Sequence, residues 1–271
     1  MIKAIVVGAA GRMGRMIVNA IQGAEGITCV GAVEAAGNPA VGKDVGAVAG
    51  LTELGVRIEG DLELVIQQGE VVIDFTTADA SLKNMEIAAQ LHKPMVVGST
   101  GFSTQQIEKV GKLTKELPCV LAPNMSVGVN LMFRIVEEVA KILGPNYDCE
   151  IIEAHHRMKK DAPSGTALRL GEVIAQALGR KWADVGVYGR KGLIGERSRE
   201  EIGMQVIRAG DIVGDHTVLF GGMGERLEIT HRAHTRDTFT QGAVRAVRWV
   251  VNQKPGLYDM GDVLGLKGAG S

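Results

Sequence analysis

The feature that most constrains this chain is its opening: an apolar, β-branched run from Ile2 to Val7 that breaks directly into Gly8, Gly11 and Gly14. A short strand followed by G-x-x-G-x-x-G predicts a sharp turn into a helix. Glycine lets the chain bend, lets the backbone approach a pyrophosphate with no Cβ in the way, and lets the helix lie close on the sheet. The N–H groups and dipole of a helix start then favour an anion. Glu34 follows the next β-branched run, Ile27 to Val33, twenty residues after Gly14, where a carboxylate can accept both ribose hydroxyls of an adenosine. Glycines also open helices for packing alone. Strand, glycines, helix, second strand and acid in one βαβ order nevertheless point to a dinucleotide turn built from Gly8, Ala10, Gly11, Arg12, Met13 and Gly14.

The alternation continues, with strand-like runs at Val71 to Phe75, Met95 to Gly98 and Cys119 to Ala122, and helices beginning near Arg12, Ser81 and Thr104. Ser103 followed by Gln106 reads as a capping box. This order predicts an α/β Rossmann-type parallel sheet. Between Ala35 and Gly60 the chain is rich in Gly and Ala, which predicts a long loop or short irregular pieces. From Val127 the pattern changes to a helix (Asn130 to Leu143), a strand (Cys149 to Ala154), a polar loop and a helix (Thr166 to Leu178). Strand-like runs follow at Met204 to Arg208, Thr217 to Phe220 and Leu227 to Thr230. Runs of strands after helices indicate a smaller α+β domain. The expected division is a dinucleotide-binding domain over 1–126 and a second domain over 127–236. A last helix, Thr240 to Asn252, is compatible with either. Gly189 to Gly203, charged and glycine-containing, reads as an exposed loop.

Composition limits the partners. Thirty Lys and Arg nearly balance thirty-one Asp and Glu, so no global field would hold the protein on nucleic acid or an anionic membrane, and any anion site must be local. No apolar run is long enough for a membrane span, and Ile2 to Val7 is too short for a signal sequence, so the cytoplasm is the expected compartment. Cys29, Cys119 and Cys149 are odd in number and widely spaced, as expected of buried reduced thiols. Ala35, Ala36 and Gly37 beside Glu34 offer no basic group to a 2′-phosphate, although Arg12 offers some charge. NADH is therefore expected to be preferred to, or used equally with, NADPH. Asp74 to Thr77 and Gly98 to Gly101 close the third and fourth strands, where ligands of open α/β sheets bind. Helix capping is the plainer role for Thr77 and Ser81.

The local anion site is conspicuous. His155, His156, Arg157, Lys159 and Lys160 put five basic or imidazole groups into six positions, and the run ends at Ser164-Gly165-Thr166, which opens a helix. His155 or His156 can donate a proton near neutral pH, and a partly desolvated Lys159 can do so or fix a carboxylate. A solvated basic loop is the plainer reading. Adjacent histidines on a strand face opposite ways, and no third ligand stands at metal spacing, so no metal is expected. The Gly-x-Ser-x-Gly elbow is absent, which argues against a nucleophile at Ser164.

Glu153-Ala-His-His-Arg-Met-Lys-Lys-Asp-Ala-Pro-Ser-Gly-Thr-Ala167 closely resembles the signature of the 4-hydroxy-tetrahydrodipicolinate reductase (dihydrodipicolinate reductase) family. Gly8 to Gly14, Asp74-Phe-Thr76, Gly98 to Gly101, Asn124-Met-Ser-Val-Gly128 and Arg208 to His216 extend that resemblance over nearly the whole chain. It implies a reductase using NADH or NADPH in diaminopimelate and lysine biosynthesis, with its small dicarboxylic substrate between the domains. The same resemblance implies a homotetramer built through the second domain's sheet, and a C-terminal helix segment, 237–271, returning to the first domain. By the same resemblance His155 is the proton donor with Lys159 close by, while Lys159, His156 and the Gly165-Thr166 amides hold a carboxylate. Phe75, Thr76, Gly98, Thr100, Pro123, Asn124 and Met125 would line the cofactor pocket, with Arg236 near the nicotinamide ribose. The departures are mild: Ala35 stands where some members carry Arg, Met125 where Phe is frequent and Met158 where His occurs. Another two-domain nicotinamide-dependent amino-acid dehydrogenase would not need the His-His-Arg-Met-Lys loop. A dinucleotide-sensing regulator without chemistry would not need His155 and Lys159.

Overall fold

A computed structural model describes residues 1–267. In chain order the elements are β1 (Ile2–Val7), α1 (Arg12–Gln22), β2 (Ile27–Val33), α2 (Val45–Ala49), β3 (Ile58–Glu59), β4 (Val71–Asp74), α3 (Ala78–Gln90), β5 (Met95–Val97), α4 (Thr104–Leu113), β6 (Pro118–Leu121) and α5 (Val127–Leu143). They continue with β7 (Asp148–His155), α6 (Gly165–Ala177), α7 (Trp182–Val185), β8 (Gly186–Tyr188), β9 (Ile202–Arg208), β10 (Gly214–Gly221), β11 (Arg226–Ala233), α8 (Asp237–Val250), β12 (Gly256–Tyr258) and α9 (Met260–Val263). Among the described residues, Met1–Val127 and 237–267 form one compact unit, and Gly128–Arg236 forms the other. The last four residues of the helical segment expected over 237–271 lie outside the described residues.

The first unit is a seven-stranded parallel sheet in the order β12-β6-β5-β4-β1-β2-β3, the expected Rossmann-type architecture. Successive strand side chains point to opposite faces, and in a parallel sheet both faces are covered, so strands read as continuous apolar runs. β1 illustrates this. Ala4 and Val6 enter one core with Ile17, Val18 and Ile21 of α1 and Val244, Val247 and Val250 of α8. Ile5 and Val7 enter the opposite core with Met85 of α3 and Val110 of α4. The second unit is a five-stranded mixed sheet, β11-β10-β7-β9-β8, with β10 antiparallel to both neighbours and β7, β9 and β8 parallel. One face packs on α5 and α6 through Met132, Val136, Ala140, Leu170 and Ile174 against Ile151, Met204, Val218 and Phe220.

Several boundaries differ from the sequence reading. α3 begins at Ala78 instead of near Ser81, because Thr77 supplies the cap to Ala80 and the Ser81 hydroxyl is bound elsewhere. β7 and β9 to β11 are longer than their apolar cores, since ladder hydrogen bonds carry polar ends such as Asp148 and Arg226. The loop before β9 is exposed as read, yet Arg197 pins it to Asp148, Glu150 and the Cys149 and Glu201 carbonyls. All three cysteines are buried and unpaired with one another. Among the described residues no helix is long and apolar enough to cross a membrane.

The capping box at α4 is present, with Ser103 Oγ accepting from Gln106 N and Gln106 Oε1 accepting from Ser103 N at 2.8 Å. Ser103→Ala should destabilise the protein by about 1 kcal/mol, read as a lower urea midpoint; an unchanged midpoint would show the cap to be energetically silent.

Candidate functional site

At the carboxyl end of β1 the chain turns as Gly8, with φ of 74°, and enters α1 at Gly11. A side chain on Gly14 would collide with the Gly8 carbonyl, so the helix can lie this close to the turn only with glycine there. The N-cap Gly11 makes no side-chain cap bond, and no acid stands in the first turn of α1. The positive end of the helix is thus left for an external anion. Arg12 is exposed and Met13 half-buried at this start. The Glu34 carboxylate closes the turn from the side, accepting from Ala10 N at 3.0 Å and Ala35 N at 3.1 Å.

The next two strands in the sheet, β4 and β5, end beside this turn. A Cβ on Gly8 would stand 2.9 Å from Thr76 Cγ2, and the Phe75 ring occupies the space that a side chain at Gly98 would need. Thr100 is exposed. After β6, Pro123 is exposed and Asn124 Oδ1 accepts from Ser126 N at 2.9 Å. Met125 is the exception within this expected set: it is 1% exposed and packs into the core with α8, so its side chain lines no surface.

The second cluster is organised by a residue that the sequence reading gave no role. Glu153 is fully buried near the end of β7, and its carboxylate is met by donors. Arg208 of β9 binds both oxygens, at 2.7 and 2.8 Å; His155 Nδ1 lies 2.6 Å from Oε2; Ser164 N donates to Oε1 at 2.9 Å. Burial alone would push this carboxyl up, but Arg208, His155 and the Ser164 amide outweigh it and hold the group below the usual range. An ionised Glu153 fixes the imidazole proton of His155 on Nδ1 and leaves Nε2 for exchange. The His155 pKa is lowered by burial first, with Glu153 pulling it back up and Lys159 and Arg208 pressing it down. The sequence signal for Glu153 was its spacing: two residues before His155 on a strand, it shares that residue's face.

Lys159 is largely covered and pairs with Asp161 at 2.9 Å. Arg208 also binds the Asp161 carbonyl at 2.7 Å, so the loop is held near its middle as well as at Ser164. The Ser164 hydroxyl accepts from Ala167 N as the cap of α6 and lies 3.0 Å from His216 Nε2. Ser164, with Gly165 and Thr166 an expected substrate contact, stands at the start of α6 and caps it with its side chain. Arg236 Nη2 stands 3.5 Å from His156 Nε2 and so groups with this loop.

Comparisons with known proteins decide the family. Residues 2–125 match the family described as "Dihydrodipicolinate reductase, N-terminus", and residues 128–264 match "Dihydrodipicolinate reductase, C-terminus". The chain belongs to the dihydrodipicolinate reductase family. A 4-hydroxy-tetrahydrodipicolinate reductase of Geotalea uraniireducens (strain Rf4) is 58% identical over 98% of this chain and 100% of its own. One of Syntrophus aciditrophicus (strain SB) is 55% identical with the same coverage. The dipicolinate-bound dihydrodipicolinate reductase from Paenisporosarcina sp. TG-14 superposes with a TM-score of 0.78 at 25% identity, covering 96% of this chain and 97% of that one.

In this dihydrodipicolinate reductase family member, His216 packs edge-on to His155 with ring centroids 5.2 Å apart. Ser164 Oγ lies 3.0 Å from His216 Nε2, while His216 Nδ1 is buried with no partner among the described residues. Burial, then the charge of His155, push the His216 pKa from 6.5 to about 3. The unfolded chain therefore binds more protons in that interval, so the stability contribution is complete above about pH 6.5 and is lost as pH falls. His216→Gln should flatten the fall in stability between about pH 6.5 and 5 by roughly 1 kcal/mol per pH unit, measured by urea denaturation across pH. A slope equal to wild type would assign the acid sensitivity elsewhere.

Proposed function

We propose that this chain reduces 4-hydroxy-tetrahydrodipicolinate to tetrahydrodipicolinate with NADH or NADPH in the diaminopimelate and lysine pathway. The observation that carries this reading is the Glu153-oriented imidazole of His155 on one loop with Lys159 and the start of α6. That loop lies in a chain matched along its length by reductases of that name. The turn at Gly8 to Gly14 suits a dinucleotide: Gly11 opens α1 with no side-chain cap, and Glu34 retains lone pairs for ribose hydroxyls beside its two backbone donors. When bound, a reduced nicotinamide supplies the hydride. Phe75, Thr76, Gly98, Thr100, Pro123 and Asn124 line its pocket in this reading. Met125 contributes from the core, and Arg236 belongs with the substrate loop.

The substrate is a dianion, and the loop meets it with Lys159, His156 and the positive end of α6 at Gly165 and Thr166. Asp161 yields Lys159 to a substrate carboxylate. The substrate's negative charge favours the imidazolium form of His155, against the burial that disfavours it, so His155 takes up a proton as the substrate arrives and delivers it from Nε2 to the enamine carbon that hydride addition leaves, the 4-hydroxyl departing as water. His155→Ala and Lys159→Ala should each lower kcat by roughly 10²–10⁴ while NADH affinity stays near wild type. The assay couples aspartate semialdehyde and pyruvate through the preceding synthase and follows nicotinamide absorbance; wild-type turnover in both variants would sink the assignment.

The Glu153 arrangement adds a pH signature. The reacting complex holds a proton that free His155 lacks above its pKa, so kcat/KM should decline as pH rises through that lowered pKa. Glu153→Gln removes the groups that pull this pKa upward while Lys159 and Arg208 still press it down, and should move the kcat/KM profile to lower pH. A profile left in place would refute the coupling.

NADH is preferred or used equally with NADPH in this reading, because no base stands at Ala35. Ala35→Arg should shift the ratio of kcat/KM values toward NADPH. The family resemblance also supports a cytoplasmic homotetramer assembled through the second unit's sheet, where Ile207 is 46% exposed on the face away from α5 and α6.

A further inference from the structure

We propose that Asp74 is a positioning residue for the dinucleotide: through Thr76, Ser81 and Ser99 it fixes the turns that end β4 and β5 against the turn that ends β1. This rests on the nicotinamide reading above. Asp74 is fully buried, and among the described residues no cation pairs with it. Four donors from two segments, the turn after β4 and α3, replace a cation. Oδ1 accepts from Thr76 N at 2.9 Å, Thr76 Oγ1 at 2.6 Å and Ser81 Oγ at 2.9 Å, while Oδ2 accepts from Asn84 Nδ2 at 2.7 Å.

Counting protons gives the cluster a direction. The single proton of Ser81 goes to Asp74, so the 2.6 Å contact between Ser81 and Ser99 is made by the Ser99 proton. The relay Ser99 to Ser81 to Asp74 therefore ties the turn after β5 to the end of β4 by way of α3. Thr76, whose hydroxyl and amide both point to Asp74, rests its methyl against Gly8. Phe75, between Asp74 and Thr76, covers Gly98. One carboxylate thus sets the mutual spacing of three turns at the carboxyl ends of three adjacent strands, β5, β4 and β1. That edge is where an open α/β sheet binds its ligand. Packing alone would be met by an apolar side chain, whereas a buried carboxylate with directed donors fixes geometry.

The test uses the full chain. The Kd for NADH is measured on the free protein by nicotinamide fluorescence, with kcat at saturating NADH and the KM for substrate alongside. Asp74→Ala should weaken NADH binding about tenfold or more, from donors left unpaired, with kcat at saturation and substrate KM held within about threefold. Asp74→Asn keeps an oxygen for the Thr76 and Ser81 donors and can donate to a turned Asn84 amide, so it should restore most of the affinity. If Asp74→Ala does not fold, Ser99→Ala reads the same relay and leaves the Asp74 carboxylate in place, and several-fold weaker NADH binding is expected. Wild-type affinity in Ser99→Ala, or an Asn variant no better than Ala, overturns the proposal while leaving the reductase reading standing. A wild-type protein that binds neither NADH nor NADPH overturns both.

Discussion

The second unit depends on a carboxylate removed from water. Glu153 joins β7 to β9 through Arg208, to the start of α6 through the Ser164 amide, and to the reactive face through His155. A buried charge of this kind is tolerated only when its lone pairs are met by well-placed donors. Here the donors are the parts that must be held: a ring, a helix start and, by way of Arg208, the loop between them. Stabilisation and preorganisation are one set of bonds. The basic loop needs no rigid secondary structure of its own, because both ends and its middle answer to the same buried group.

The two units use buried acids differently. Glu153 is balanced by a guanidinium and an imidazole, so its environment exchanges charge with the chemistry at His155. Asp74 is balanced by neutral hydroxyl and amide donors and transmits only direction. One arrangement suits proton transfer, and the other suits a surface that must keep its shape.

Much of the fold was legible because both cores follow simple periods. Ile2–Val7 alternates between two buried faces, and Met132, Val136 and Ala140 recur at helical spacing. Ser103 and Gln106 announced a helix start through bonds local in sequence. What escaped was set by distant partners. The three residues of β12 become a strand only by pairing with Pro118 to Val120, and β8 only by pairing with β9. In the site, the glycine turn and the His155 loop carried their own signals. Glu153 needed Arg208, fifty-five residues away, to reveal its role, and Ser164 needed His216, fifty-two away, to show that its hydroxyl was already engaged. Asp74 read as a strand end because its partners, Ser81 and Asn84, lie on the next helix.

The first unit is interrupted: Gly128–Arg236 is threaded between β6 and the α8–β12 segment that completes it. During synthesis, then, the whole inserted unit is made before Val244, Val247 and Val250 exist to cover Ala4 and Val6. Until that moment β6 is an open sheet margin carrying Cys119 and Val120. A nascent chain of this design passes through an interval of sticky incompleteness whose length is the translation time of one domain.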